Sequence, residues 1–251
     1  MRKKKVFVDI VMPNYNKGRY IAKAIDSVIN QSFRNWKLFI IDDNSIDKSH
    51  SVLERFKRFK KIKIIKLSKN LGPGNARNVG MSFSKSKYLS FLDSDDFWTK
   101  KKLENQIKFM EKFNLDFTYT DYISLFEIKN KRKKTNLINK IDYKIFLQNS
   151  SINTSTMILK KKIIKKLKFN NTEMEDYVFK CKLLKKGIIA NKFNSHTAYY
   201  RVSKISRSSE KLKNIYCLWS VNKKYNKLNI LKNIISLFFV SLNSIKKYGF
   251  K

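Results

Sequence analysis

Four apolar runs recur along the first half of the chain: 6–12 (VFVDIVM), 36–42 (WKLFIID), 62–67 (IKIIKL) and 87–93 (KYLSFLD). The gaps between them each leave room for one helix, and this pitch limits the fold more than any other feature. Short, nearly continuous apolar runs rich in β-branched residues read as strands buried on both faces. After the first run comes the turn PNYNKG. Ile21, Ala24, Ile25, Val28 and Ile29 then form one stripe of an amphipathic helix. Asn44, Ser45 and Asp47 offer caps for a second helix reaching about Lys60. SKNLGPGNA is a loop before a helix over 76–85, and Leu103, Ile107, Met110 and Phe113 mark a helix over about 99–113. Such alternation implies an α/β fold: a parallel sheet with helices on both faces, and ligands at the carboxyl ends of its strands.

The second half is less regular. NKRKKTN at 130–136 reads as an exposed loop, TSTMIL at 154–159 as a strand, EMEDYVFKCKLLKKG as a helix ending at Gly187, and HTAYYRV at 196–202 as a strand. Beyond Ser209 the pattern is helical. There is no internal repeat and no obvious linker.

With 251 residues, 42% of them hydrophobic, and only 6 Gly and 2 Pro, the chain suits one large domain or one domain with a small appendage. Its 56 Lys and Arg against 19 Asp and Glu give a formal charge of +37. That balance fits a polyanionic partner. It equally fits a compositional bias toward AT-rich codons, because lysines run from Lys3 to Lys251 without forming a block. No clear basic stripe and no nucleic-acid-binding motif is present, so nucleic acid is not the expected partner. Cys181 and Cys217 lack metal-ligand spacing and suit the cytosol. The opening MRKKKVFVDIVM lacks the long apolar core of a signal peptide and reads as a strand. IISLFFVSL at 234–242 is too short to cross a bilayer. The basic C-terminal helix that holds it fits packing on the domain, the simpler reading, or lying on an anionic membrane surface.

Against this basic background, YLSFLDSDDFW ends an apolar run with Asp93, Asp95 and Asp96. Clustered carboxylates repel, so they call for a cation. Oxygen ligands of this kind suit Mn²⁺ or Mg²⁺ shared with a substrate phosphate. A solvated turn capping the next helix is the plainer alternative. Asp42 and Asp43 end the second run in the same way, which places acids from two strands at one sheet edge.

Taken in order, DIVMPNYNKGRYIAKAIDSVINQSF, WKLFIIDDNSIDKS, NLGPGNARNVG, YLSFLDSDDFW and EDYVF resemble family 2 glycosyltransferases of the GT-A fold, of the bacterial cell-surface polysaccharide type. The resemblance is strong over 6–125 and recognisable to about 208. It implies a GT-A domain over 1–208, with a nucleotide-sugar-binding half to about 125, an acceptor-binding half over 126–208, and a helical extension over 209–251. It implies an inverting, metal-dependent transfer from a nucleotide sugar, with UDP as the expected carrier, to a glycan or lipid-linked hydroxyl.

The resemblance also assigns residues. Pro13 and Tyr15 match the nucleoside-contacting motif, Asp43 the acid that reads the base, and Arg77 the segment approaching the phosphates. Asp93 and Asp95 match the DXD pair, with Asp95 the direct metal ligand and Asp93 nearer the ribose. Asp96 supports the metal or donor sugar. Trp98 matches an aromatic bordering the acceptor, with core packing as its alternative. Glu175 and Asp176 match the pair that supplies the general base, usually its Asp. Many relatives carry a His after the YYRV strand, where this chain has Ser203. His196 then reads as structural, and Arg201 or Lys204 as candidates for the diphosphate. Three other readings compete: a basic nucleic-acid-binding protein, a Rossmann-type dinucleotide protein, and a non-catalytic transferase-like binder of sugar nucleotides. The second fails because GPGNAR puts Arg77 at the third glycine and follows the third strand, not the first.

Overall fold

The computed structural model describes residues 7–127, 130–202 and 211–248. Ser203 and Lys204 lie outside them. The chain runs β1 (Val8–Asn14), α1 (Ile21–Ile29), β2 (Trp36–Asp42), α2 (Ser49–Glu54), β3 (Ile62–Lys66), α3 (Pro73–Phe83), β4 (Tyr88–Phe91), β5 (Phe97–Trp98), α4 (Lys102–Lys112) and β6 (Phe117–Phe126). It continues through β7 (Lys131–Lys134), β8 (Lys140–Ile141), α5 (Tyr143–Asn149), β9 (Ile158–Lys160), α6 (Glu175–Leu184), β10 (Ala190–Val202), α7 (Lys211–Val221) and α8 (Ile230–Tyr248).

One sheet carries these strands in the order β3-β2-β1-β4-β9-β6-β10-β5, with β7 on β6 and β8 on β10. The first four strands are mutually parallel, as the apolar runs predict. β9 enters antiparallel between β4 and β6, and β10 returns parallel to β6. Every residue of β1 is buried. Its register sets Asn14 beside Asp42, so β1 and β2 end together at the edge that Asp93 reaches just past β4. α3 approaches this sheet closely. A Cβ built on Gly80 would sit 2.4 Å from Cγ1 of Val11, so only glycine lets the helix lie that near β1.

Four local expectations are corrected. The helix expected to reach Lys60 is the short α2. Asn44 adopts a positive φ, and the Asp47 carboxylate accepts from the backbone of Ser49 and Gly18, so the chain stays a loop until Ser49. The basic 130–136 segment holds an edge strand, β7, whose residues are polar because the strand is largely exposed. Residues 154–156 form a 3₁₀ turn, not the start of a strand: the Asn153 side chain accepts from Ser155 N and caps it, and pairing begins at Ile158. α6 starts at Glu175 and ends at Leu184; Gly187, at φ 77°, lies in the turn beyond.

Candidate active site

The site lies at the carboxyl ends of β1, β2 and β4. Asn14 closes β1, and its amide donates to Asp42 Oδ1 at 2.8 Å, which ties the first two strand ends together. Pro13 is buried within β1, whereas Tyr15, just past the strand, is 43% exposed. Asp43 is buried and accepts from the backbone N–H groups of Leu71 and Gly72, both at 2.8 Å. It thus pins the loop leading into α3 and does not cap the helix after β2. Each of its oxygens keeps a second lone pair for a ligand donor.

Arg77 joins the two sets of acids that the sequence keeps far apart. Projecting from α3, it donates through one terminal nitrogen to Asp93 Oδ1 at 2.7 Å and through the other to Glu175 Oε1 at 3.0 Å. Burial opposes its charge, but the carboxylates of Asp93 and Glu175 outweigh burial and raise its pKa further. Asp95 pairs with the Lys17 ammonium at 2.7 Å, both partly exposed. Burial alone lowers the Lys17 pKa, and Asp95 more than offsets it. Asp96 points inward. Its carboxyl accepts from Ser155 Oγ at 2.6 Å and from Arg201 N at 3.1 Å. Burial first, then Asp95 and Asp93, push it well above the usual carboxylate range.

The turn at Thr154–Thr156 links the acid-rich loop to α6. Ser155 Oγ accepts from the Asp93 backbone at 3.1 Å while donating to Asp96. Thr154 Oγ1 donates to Asp176 Oδ2 at 3.1 Å. Trp98 is buried and donates its indole N–H to the Ser155 carbonyl at 2.7 Å, supporting the turn through its core-packed ring. Asp176 also accepts from Lys180, one helical turn on, at 2.6 Å. Burial raises the Asp176 pKa, but Lys180, Arg77 and Thr154 together hold it below the usual carboxylate range. Just before the pair, Met174 takes a left-handed φ of 55°, which turns the chain into α6. Such a conformation is unusual for a bulky residue and recurs at functional sites.

His196 donates to the Thr135 carbonyl at 2.7 Å and is structural. The Arg201 guanidinium bonds Glu127 at 3.1 Å and stacks over Tyr20. Asp95, Asp93 and Asp96 share one loop, and Arg77 brings Glu175 to it. Sequence reasoning missed Lys17, Thr154, Ser155 and Lys180. Of these, only the Asp176–Lys180 spacing of four on a helix was a usable signal. Among the described residues, no three His, Cys, Asp or Glu side chains form a complete metal cage. Asp95 nonetheless already holds a cation, the Lys17 ammonium, beside a second carboxylate in Asp93. Those hard oxygens fit a divalent ion that takes its remaining ligands from a phosphate.

A parallel-strand edge lined with paired acids, beside a helix that begins with two more, defines an α/β protein whose site suits a cation and a phosphate-bearing ligand. The chain belongs to glycosyl transferase family 2, whose description matches residues 9–189. It is 34% identical over 247 residues to a Haemophilus influenzae protein named as an uncharacterized glycosyltransferase, covering 96% of this chain and 97% of that one. It is 32% identical over 248 residues to the Escherichia coli UDP-Glc:alpha-D-GlcNAc-diphosphoundecaprenol beta-1,3-glucosyltransferase WfaP, covering 97% and 96%. The crystal structure of S. aureus TarS 1–349 in complex with UDP-GlcNAc shares the fold, with a TM-score of 0.74 at 18% identity over 96% of this chain and 73% of that one. The protein is a glycosyltransferase of GT-A architecture.

Proposed function

We propose that this glycosyltransferase moves a sugar from a UDP-sugar to a hydroxyl of a lipid-linked glycan, in one inverting displacement at the edge formed by β1, β2 and β4. The observation that carries the reading is Arg77, which draws Asp93 and Glu175 onto one buried guanidinium and so sets Asp176 at the same rim. WfaP, by its name, uses UDP-Glc and a diphosphoundecaprenol-linked acceptor, which supports the donor and acceptor classes.

Tyr15 offers an exposed ring at the end of β1 for the base, and Asp43 a buried acceptor beside it. Asp95, with Asp93, is the place for Mn²⁺ or Mg²⁺. Asp95 and Asp93 would hold such an ion, and bound there it would supply Lewis-acid stabilisation of the charge growing on the diphosphate, worth several kcal/mol in such reactions. Lys17 adds a positive charge at the same rim. Glu175 is 9% exposed and engaged by Arg77, whereas Asp176 is 38% exposed, so Asp176 is the carboxylate open to an acceptor. As the acceptor oxygen bonds to the anomeric carbon, its proton passes to Asp176 and the bond to the diphosphate oxygen breaks. General-base help of this kind contributes about 10²–10⁴-fold. Thr154 and Lys180 hold the carboxylate in place. The unpaired thiols Cys181 and Cys217 fit a reducing compartment, the cytoplasm.

Asp95→Ala tests the reading. Its melting temperature alone should stay close to wild type, because Asp95 is a partly exposed rim residue. Transfer should be lost, together with the extra thermal stabilisation that Mn²⁺ gives in the presence of UDP. Full transfer by this variant, or by the wild type in EDTA, overturns the proposal.

A further inference from the structure

The helix α8 turns polar residues toward the domain, beside Leu237 and Val240 that pack on the core, and leaves a second apolar face outside. Asn233 and Ser236 are each 1% exposed and face the domain. Asn233 accepts from Asn222 at 3.1 Å and donates to the Trp219 carbonyl at 3.1 Å, and Ser236 donates to the Leu147 carbonyl at 2.5 Å. The polar side of the helix is thereby satisfied inside. Leu231, Ile234, Ile235, Phe238, Phe239 and Leu242 are exposed; Leu231 is 66% and Phe238 59% accessible. At 100° per residue these six fall within one half of the helix circumference, forming a continuous apolar face. Scattered exposed apolar residues are ordinary, but a contiguous face of six signals an interaction surface.

We infer that this face docks on the surface of an anionic lipid bilayer, with α8 lying in the plane of the interface. Three observations select that occupant. Lys223, Lys224, Lys227, Lys232 and Lys246 are exposed on α8 and on the segment leading into it, so apolar insertion is accompanied by cationic groups that meet lipid headgroups. No helix among the described residues is long and apolar enough to cross a membrane, which leaves the surface mode. A second copy is disfavoured because each chain carries +37, and bringing two together opposes that charge, whereas an anionic surface is attracted by it. Docking here does not depend on the identity of donor or acceptor. For an enzyme whose acceptor is lipid-linked, it would keep the site beside its substrate.

The full chain is sedimented with sucrose-loaded vesicles of phosphatidylcholine, with and without phosphatidylglycerol, alongside the double variant Ile234→Glu/Phe238→Glu. Both positions are exposed and outside the site, so folding and turnover with a water-soluble acceptor should be retained. Binding should favour vesicles containing phosphatidylglycerol, and the variant should bind them at least about tenfold less. Equal sedimentation of wild type and variant, or equal binding to both vesicle types, overturns the inference. So does a dimer in sedimentation velocity that the same substitutions split, which would give the face to a second copy.

Discussion

Asp176 must be ionised to act as a base, yet its partial burial favours the neutral form. Lys180 resolves this conflict. The ammonium at 2.6 Å, with Arg77 and the Thr154 hydroxyl, holds the carboxyl below the usual carboxylate range despite burial. The acid limb of kcat/KM should therefore lie below ordinary carboxylate titration. Removing the cation should raise the pKa of the base. Lys180→Met is thus expected to shift the acid limb of the pH–rate profile upward, while Asp176→Asn should cut turnover about 10²-fold or more and spare donor binding. A limb that does not move in Lys180→Met, or unchanged turnover in Asp176→Asn, would relocate the base. Stability follows the same sign. A carboxylate whose pKa is lowered by folding stabilises the fold above its unfolded pKa, and that contribution fades as pH falls through the folded one. The stability difference between Asp176→Asn and wild type should accordingly narrow in acid.

The elements differ in how far the sequence predicts them, for physical reasons. β1, β2 and β4 are legible because they are buried on both faces and need a nearly unbroken apolar run, whereas β3, at the sheet edge, is legible from Ile62, Ile64 and Ile65 between the exposed Lys63 and Lys66. α1 is legible from its single apolar stripe. β7 is not, because an exposed edge strand has no buried face to leave a pattern. The Thr154–Thr156 turn is hidden because hydroxyls have no periodicity and its partners lie 22 to 62 residues away in sequence. At the site, the acids and Arg77 are legible as motifs, while Lys17 becomes visible only once β1 and β4 are parallel neighbours. α8 is legible as a helix, but its buried side is not, since its Asn and Ser are satisfied by groups on other elements. Gly80 is a test at this scale. Gly80→Ala places a methyl against Val11 and should cost about 1–3 kcal/mol by urea unfolding, the usual effect of overpacking. Val11→Ala removes the clashing methyls, so the double variant should be less destabilised than the two single changes summed. Strict additivity would mean that α3 and β1 do not meet as described.

At the scale of the whole molecule, charge is the unusual property. Asp93, Asp95, Asp96, Glu175 and Asp176 are five of only 19 acids in a chain of net charge +37, so the basic residues outside the site are left largely to repel one another. Salt acts on this in two opposing ways. It screens surface ion pairs such as Lys57–Glu54 and Lys108–Glu104, which are exposed and contribute little. It also screens the long-range repulsion among the excess cations, and with so few acids available the second effect is the larger. The screening length falls from about 30 Å at 0.01 M to about 8 Å at 0.15 M salt, below the span of the molecule. The melting temperature should therefore rise across that range, by about 2–4 °C for each kcal/mol of repulsion removed. Binding to random duplex DNA at low salt should disappear over the same interval, as expected for a diffuse charge without a binding motif. A melting temperature that falls with salt would show that attractive pairs dominate. Tight DNA binding persisting at physiological salt would restore nucleic acid as a genuine partner.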